Sequence, residues 1–164
     1  MLSARLIQLI ETHADGLTRE VLQDLRVNPR TRSFHRVPID ELRSRIYELY
    51  IDLGRWLAGA RDDAIRRDYE EWGQRRLQQG IPLSEIVYAL ILFKHHLRSY
   101  IRDHGLVASS TDAAAPPEVL PVHLYGIQEL NYVVGEFFDK ALYYLACGYE
   151  REATAAAQAA KRQP

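Results

Sequence analysis

Gly80-Ile-Pro-Leu-Ser-Glu-Ile-Val-Tyr-Ala-Leu-Ile-Leu-Phe-Lys-His-His-Leu-Arg-Ser-Tyr-Ile-Arg-Asp-His-Gly105 is the stretch on which the fold turns. Glycine bounds it at both ends, and Pro82 falls where the first turn of a helix has no use for an N–H. Ser84 and Glu85 suit the positive end of a helix. From Leu83 to Phe93 the residues are apolar nearly all round a helical wheel, a pattern that fits burial on several sides. Ile86, Leu90, Phe93, Leu97 and Ile101 make the main line, at steps of four and three residues. Past Lys94 the stretch turns amphipathic, with Arg98, Arg102 and Asp103 reaching water. It reads as the central helix of a helical domain, buried first and emerging later.

A chain of 164 residues fits one domain with a core of its own. The composition, 47% hydrophobic and 26% charged, is that of a globular protein rather than a disordered one. Basic and acidic residues nearly balance, 21 against 22, so there is no positive excess to neutralise phosphates and nucleic acid is not an expected partner. Cys147 is the single cysteine, which rules out an intramolecular disulfide. The amphipathic start, with an early Glu11, lacks the pattern of a signal peptide, and no apolar run is long enough to span a bilayer. The expected compartment is the cytoplasm.

Outward from the central helix, Ser3 caps a first helix with Leu6, Leu9, Ile10, His13, Leu17, Val21 and Leu25 along one side. Gly16 marks either a soft spot in one long helix or a joint between two. Residues 28–38, bounded by Pro29 and Pro38, read as an extended connector. Its arginines, Arg30, Arg32 and Arg36, form the local basic cluster; the alternatives are a solvated loop and an anion or acidic-partner site. Asp40 and Glu41 open a second helix that buries Leu42, Ile46, Leu49, Leu53 and Trp56/Leu57, with Tyr47 and Tyr50 on its flanks. A third helix, from Asp62-Asp63 to Gly80, is the most polar and is expected on the outside. Residues 108–117, small and proline-rich, read as a mobile loop. A long final helix runs from near Glu118 to about Lys161, with Ile127, Leu130, Val134, Phe137, Ala141 and Leu145 as its core line. No alternating strand pattern occurs. The expected fold is all-α, a single-domain bundle of about five helices, with residues 1–150 as the body and 151–164 as an Ala-rich helical tail.

The segments Gly80-Ile-Pro-Leu-Ser-Glu-Ile-Val-Tyr-Ala-Leu90 and Gly54-Arg55-Trp56-Leu57 resemble the N-terminal domain of RsbR-type stressosome co-antagonists. The resemblance is to the RsbRD N-terminal domain family, which also precedes some bacterial sensor histidine kinases. Glu11-Thr-His-Ala-Asp15, Asn28-Pro29-Arg30-Thr31 and Phe137-Phe-Asp-Lys-Ala-Leu-Tyr-Tyr144 fit it as well. The resemblance implies an all-helical, globin-like or bundle-like sensory module, dimeric and usually without haem. Such a module feeds a signal down its last helix into a STAS or kinase output domain. Up to Pro164 no such domain follows, so the expectation is an excised module or one that pairs with a separate output protein. The resemblance brings no ligand residues with it.

The chemistry-bearing residues add little to that reading. His95 and His96 diverge by about a hundred degrees round the helix and cannot chelate one metal together, so no metal site is expected. Haem needs one histidine facing an apolar pocket. His96, His104 and His123 are the candidates for a globin-like haem- or small-molecule-binding sensor, which is the alternative function. Packed or half-exposed histidines are far commoner, and no cofactor is expected. The acid pairs Asp62-Asp63 and Glu70-Glu71 suit a helix start and a solvated face rather than acid–base catalysis. No phosphate loop or nucleophile motif is present, so no catalytic residue is assigned and the protein is not expected to be an enzyme. Cys147 reads as a small packed side chain. Tyr125, Tyr132 and Tyr143 fall on one stripe of the final helix, opposite the core line and interleaved with Glu129, Glu136 and Asp139. Either a neighbouring helix covers that stripe or it is an association surface, and the family resemblance favours a homodimer interface.

Overall fold

The computed structural model describes residues 2–59, 62–103 and 120–162. Five α-helices and one 3-10 segment account for them: α1 (Leu2–Val27), the 3-10 segment (Pro29–Arg36), α2 (Ile39–Leu57), α3 (Asp62–Gln78), α4 (Leu83–Asp103) and α5 (Leu120–Arg162). No strand occurs among the described residues, and the fold is an all-α bundle with a long C-terminal helix. The side chains of Ser3, Leu6, Leu9 and Ile127 lie outside the described residues, as does the whole of the 108–117 loop.

The start of α4 is built as its sequence requires. Gly80 takes the left-handed conformation, φ +69°, which a side chain would resist. Its N–H bonds Leu77 O at 2.8 Å, and the Ile81 N–H bonds Arg76 O at 3.0 Å. Together these two bonds close α3 in a Schellman motif with buried Ile81 as its apolar contact. Pro82 then precedes α4, and its carbonyl accepts the Glu85 and Ile86 N–H groups. Along α4, Ile86, Ala89, Leu90, Leu92, Phe93 and Leu97 are buried, while Arg98, Arg102 and Asp103 are exposed. Each fully buried aliphatic side chain of this kind contributes about 2 kcal/mol of transfer free energy.

Gly16 does not divide α1, which is a single helix lined by buried Ile10, Ala14, Leu17, Val21 and Leu25. Two further elements differ from the sequence reading. Residues 28–38 are not extended: Asn28 caps a 3-10 segment by accepting the Arg30 N–H at 3.0 Å, with Pro29 in its first turn. The buried Thr31 hydroxyl ties the segment back by donating to Leu25 O at 2.8 Å. On α2, Tyr50 is not a flank residue but fully buried, and its hydroxyl donates to Phe93 O on α4 at 3.1 Å.

As its polarity predicts, α3 lies on the outside of the bundle, with α5 as its extensive neighbour among the described elements. It lies along α5, and the pairs Asp62–Lys140, Glu70–Arg151 and Gln78–Glu152 show the two helices running in the same direction. Ile65 and Tyr69 are buried in the core shared with Phe137 and Leu145. Antiparallel to α5 on its other flank runs α4, marked by Lys94–Asp139 at 3.3 Å. Glycine supplies the closest contact of α3 with α5. A Cβ on Gly73 would collide with Leu145 O, and one on Gly148 would collide with Glu70 O. Backbone therefore meets backbone along this seam, with no side chain between.

Candidate functional site

Three surfaces hold the side chains from which a function can be argued. The first is the outward face of α5. Leu130, Val134, Phe137, Ala141 and Leu145 are buried on its inner line, as expected. On the other side Tyr125, Tyr132 and Tyr143 are 68%, 71% and 65% exposed. At 1.5 Å of rise per residue they span about 27 Å of one helix face. Beside them a groove of about 500 Å³ is walled by Arg98, Tyr132, Glu136, Asp139, Lys140 and Tyr144. Lys140 anchors its edge, reaching Asp62 at 3.0 Å and Glu136 at 3.4 Å. Cys147, a half-buried free thiol, sits beside Tyr143 and pushes that hydroxyl up from its ordinary range. Large amphipathic rings exposed in line suit association, because they bury area while keeping a hydroxyl for a partner or water.

The second surface is the free end of α5. Arg151 pairs with Glu70 at 2.9 Å and Gln78 donates to Glu152 at 3.1 Å, the last side-chain ties to α3. Beyond them, residues 154–162 continue as exposed helix.

The third comprises the histidines and the basic cluster. His95 is exposed. His96 Nε2 lies 2.9 Å from Asp24 Oδ2 on α1, joining the two helices at their flank. Burial raises the Asp24 carboxyl, but the His96 and Asn28 hydrogen bonds outweigh it and hold the group below its ordinary value. His104 and the side chain of His123 lie outside the described residues. Of the connector arginines, Arg30 is committed within the fold: it bonds Tyr88 Oη at 3.1 Å and stacks over that ring at 5.1 Å. The Ser33 N–H and hydroxyl both donate to the Glu85 carboxylate, at 2.8 and 2.9 Å, which pins the 3-10 segment to the start of α4. Arg32 and Arg36 are exposed.

The sequence reading missed a buried charge. Arg76 is 7% exposed and pairs with Glu41 of α2 at 3.2 Å, over the ring of Phe34 at 5.7 Å. Burial lowers the Arg76 guanidinium from its ordinary value against the opposing pull of Glu41. An arginine one turn from a helix end reads in sequence as a C-terminal dipole partner, and only the fold shows what covers it. Beside it an apolar void of about 30 Å³ has room for one water. Among the described residues no group of three or more histidine, cysteine or acidic side chains is placed to hold a metal ion. None of the described helices is long and apolar enough to cross a membrane.

Comparison with known proteins places this arrangement. Neither the curated proteins nor the solved structures searched gave a match. A family model does match, and it covers the chain from the middle of α1 to the end of α5. By that match, over residues 14–163, the chain belongs to the RsbT co-antagonist protein rsbRD N-terminal domain family, a family of stressosome-related signalling domains.

Proposed function

We propose that this chain is a non-catalytic, homodimeric signalling module that pairs through the tyrosine face of α5 and relays its state along the C-terminal end of that helix. It works in the cytoplasm without a bound cofactor, and its output is a STAS or kinase domain. The observation that carries the reading is the two-sidedness of α5: one face is sealed into the core and the other exposes Tyr125, Tyr132 and Tyr143. Family membership supports the signalling role and the absence of catalysis, since the family is a regulatory one. Residues 1–150 form the sensory body in this reading and 151–164 the relay. That division is supported by the last tie to α3 at Glu152 and the exposed helix after it. The globin-like haem alternative has less support: His96 is engaged with Asp24, and a ligand role would cost that pair.

A two-fold dimer places the same surface of each copy against the other, so two lesions on that face act twice. Tyr132→Glu combined with Tyr143→Glu should give a protein with unchanged helical circular dichroism and half the mass by light scattering. A doubly substituted protein with the wild-type mass would refute the tyrosine interface.

A further inference from the structure

An open cleft of about 310 Å³ separates α3 from α2. Glu48 and Asp52 reach it from α2, and Asp68 and Glu71 from α3. Two arginines answer these four carboxylates, unequally. Arg45 bonds Glu48 at 2.8 Å and lies over the Trp72 ring at 5.4 Å. Arg55 stands off from Asp52 at 3.5 Å and is itself 72% exposed. Asp68 and Glu71 have no ion pair among the described residues, so the cleft carries an excess of negative charge.

A second observation is independent of the charges. Tyr69, 1% exposed, lines the cleft, and its hydroxyl has no hydrogen-bond partner among the described residues. Burial, then the charges of Asp52, Asp68 and Glu48, pushes that hydroxyl well above its ordinary range. A buried hydroxyl without a partner is costly, and a native fold that keeps one calls for an explanation. We propose that the α2–α3 cleft binds a small organic amine, whose ammonium sits between Asp52 and Asp68 and donates to the Tyr69 hydroxyl.

The chemistry selects this class. The carboxylates call for a cation, and the lone pairs of Tyr69 call for one that brings its own N–H donors. The Trp72 ring already accepts the Arg45 guanidinium, which shows an aromatic wall suited to a cationic ligand. Burial, then the charge of Asp68, pushes the Asp52 carboxyl up to about 6. An ammonium beside it would favour the charged carboxylate. The cleft volume is within the range of small-molecule sites. Occupancy would also reach α5, because the Tyr69 ring meets Phe137 edge-on at 6.1 Å. The proposal does not depend on the dimer interface, which lies on the opposite face of α5.

Calorimetric titration of the full chain with putrescine, at low salt and near neutral pH, tests it. Saturable binding is expected, and Asp52→Asn should weaken it about tenfold or more, the size of a lost charge-assisted hydrogen bond. Tyr69→Phe should weaken it about threefold to tenfold, as for a neutral hydrogen bond. Arg55→Ala removes a competitor and should bind no more weakly than wild type. Affinity should fall as pH drops through about 6, where Asp52 takes up a proton opposite Arg45, Arg55 and the acids Glu48, Asp68 and Glu71. No saturable heat up to about 10 mM with a folded chain would overturn the proposal, as would an Asp52→Asn protein that binds putrescine as tightly as wild type.

Discussion

The two faces of α5 obey opposite rules. Its inner face is closely packed: Phe137 and Phe138 are buried edge-to-face at 5.6 Å, and Gly148 admits the Glu70 carbonyl where any side chain would stand. Its outer face holds three tyrosines mostly exposed and an open groove beside them. A helix that only needed to complete the bundle would carry the first face and a polar back. This one carries a second surface with aromatic area to bury, which is how a helix belonging to two assemblies looks.

Substitutions along the one helix should separate the faces by size and sign. Phe137→Ala removes a buried ring that meets Trp56 and Tyr69, and should cost about 4 kcal/mol in urea unfolding. Next comes Gly148→Ala, which sets a methyl group against backbone that cannot rotate away; about 3 kcal/mol of destabilisation is expected. Gly135→Ala on the same helix should do the reverse. Its Cβ would meet only the Arg98 guanidinium at an ordinary 3.7 Å, so better helix propensity should stabilise the fold by about 0.5–1 kcal/mol. A destabilising Gly135→Ala of the size of Gly148→Ala would break the distinction.

The cleft between α2 and α3 gives a pH-dependent version of the same contrast. Asp52 keeps its proton up to about 6 in the fold against 3.8 as its ordinary value, so the folded state holds more protons in that window. Stability from this group is therefore full below about pH 4, falls as pH rises towards 6 and stays lower above it. Asp52→Asn should flatten that slope and raise neutral-pH stability by about 1 kcal/mol, a figure reduced for the solvent still near the carboxylate. The smallest effect belongs to the outer face: in the dissociated single chain, Tyr132→Ala should alter the unfolding free energy by about 0.5 kcal/mol or less, since there its ring is exposed.

Much of this was legible in the sequence, because apolar side chains at helical spacing announce what they bury. Ile86, Leu90, Phe93 and Leu97 gave α4, Gly80 gave its boundary, and the stripe of Tyr125, Tyr132 and Tyr143 was visible as a stripe. What stayed hidden was carried by residues with weak or ambiguous signatures. Gly73 and Gly148 carry no signature of their contact in the sequence, since close backbone approach shows only once the two helices are set together. Thr31 and Asn28 folded a proline-bounded connector into a 3-10 segment through bonds that composition does not reveal. The α2–α3 cleft needed both its helices before Asp52, Asp68 and Tyr69 could be seen together.

The central claim is that the outer face of α5 joins two copies, and the mass of the unaltered protein in solution tests it most directly. Light scattering at micromolar concentration should give twice the 18.9 kDa of one chain. A single-chain mass that persists as the concentration is raised would contradict the claim and leave the tyrosine face to another partner.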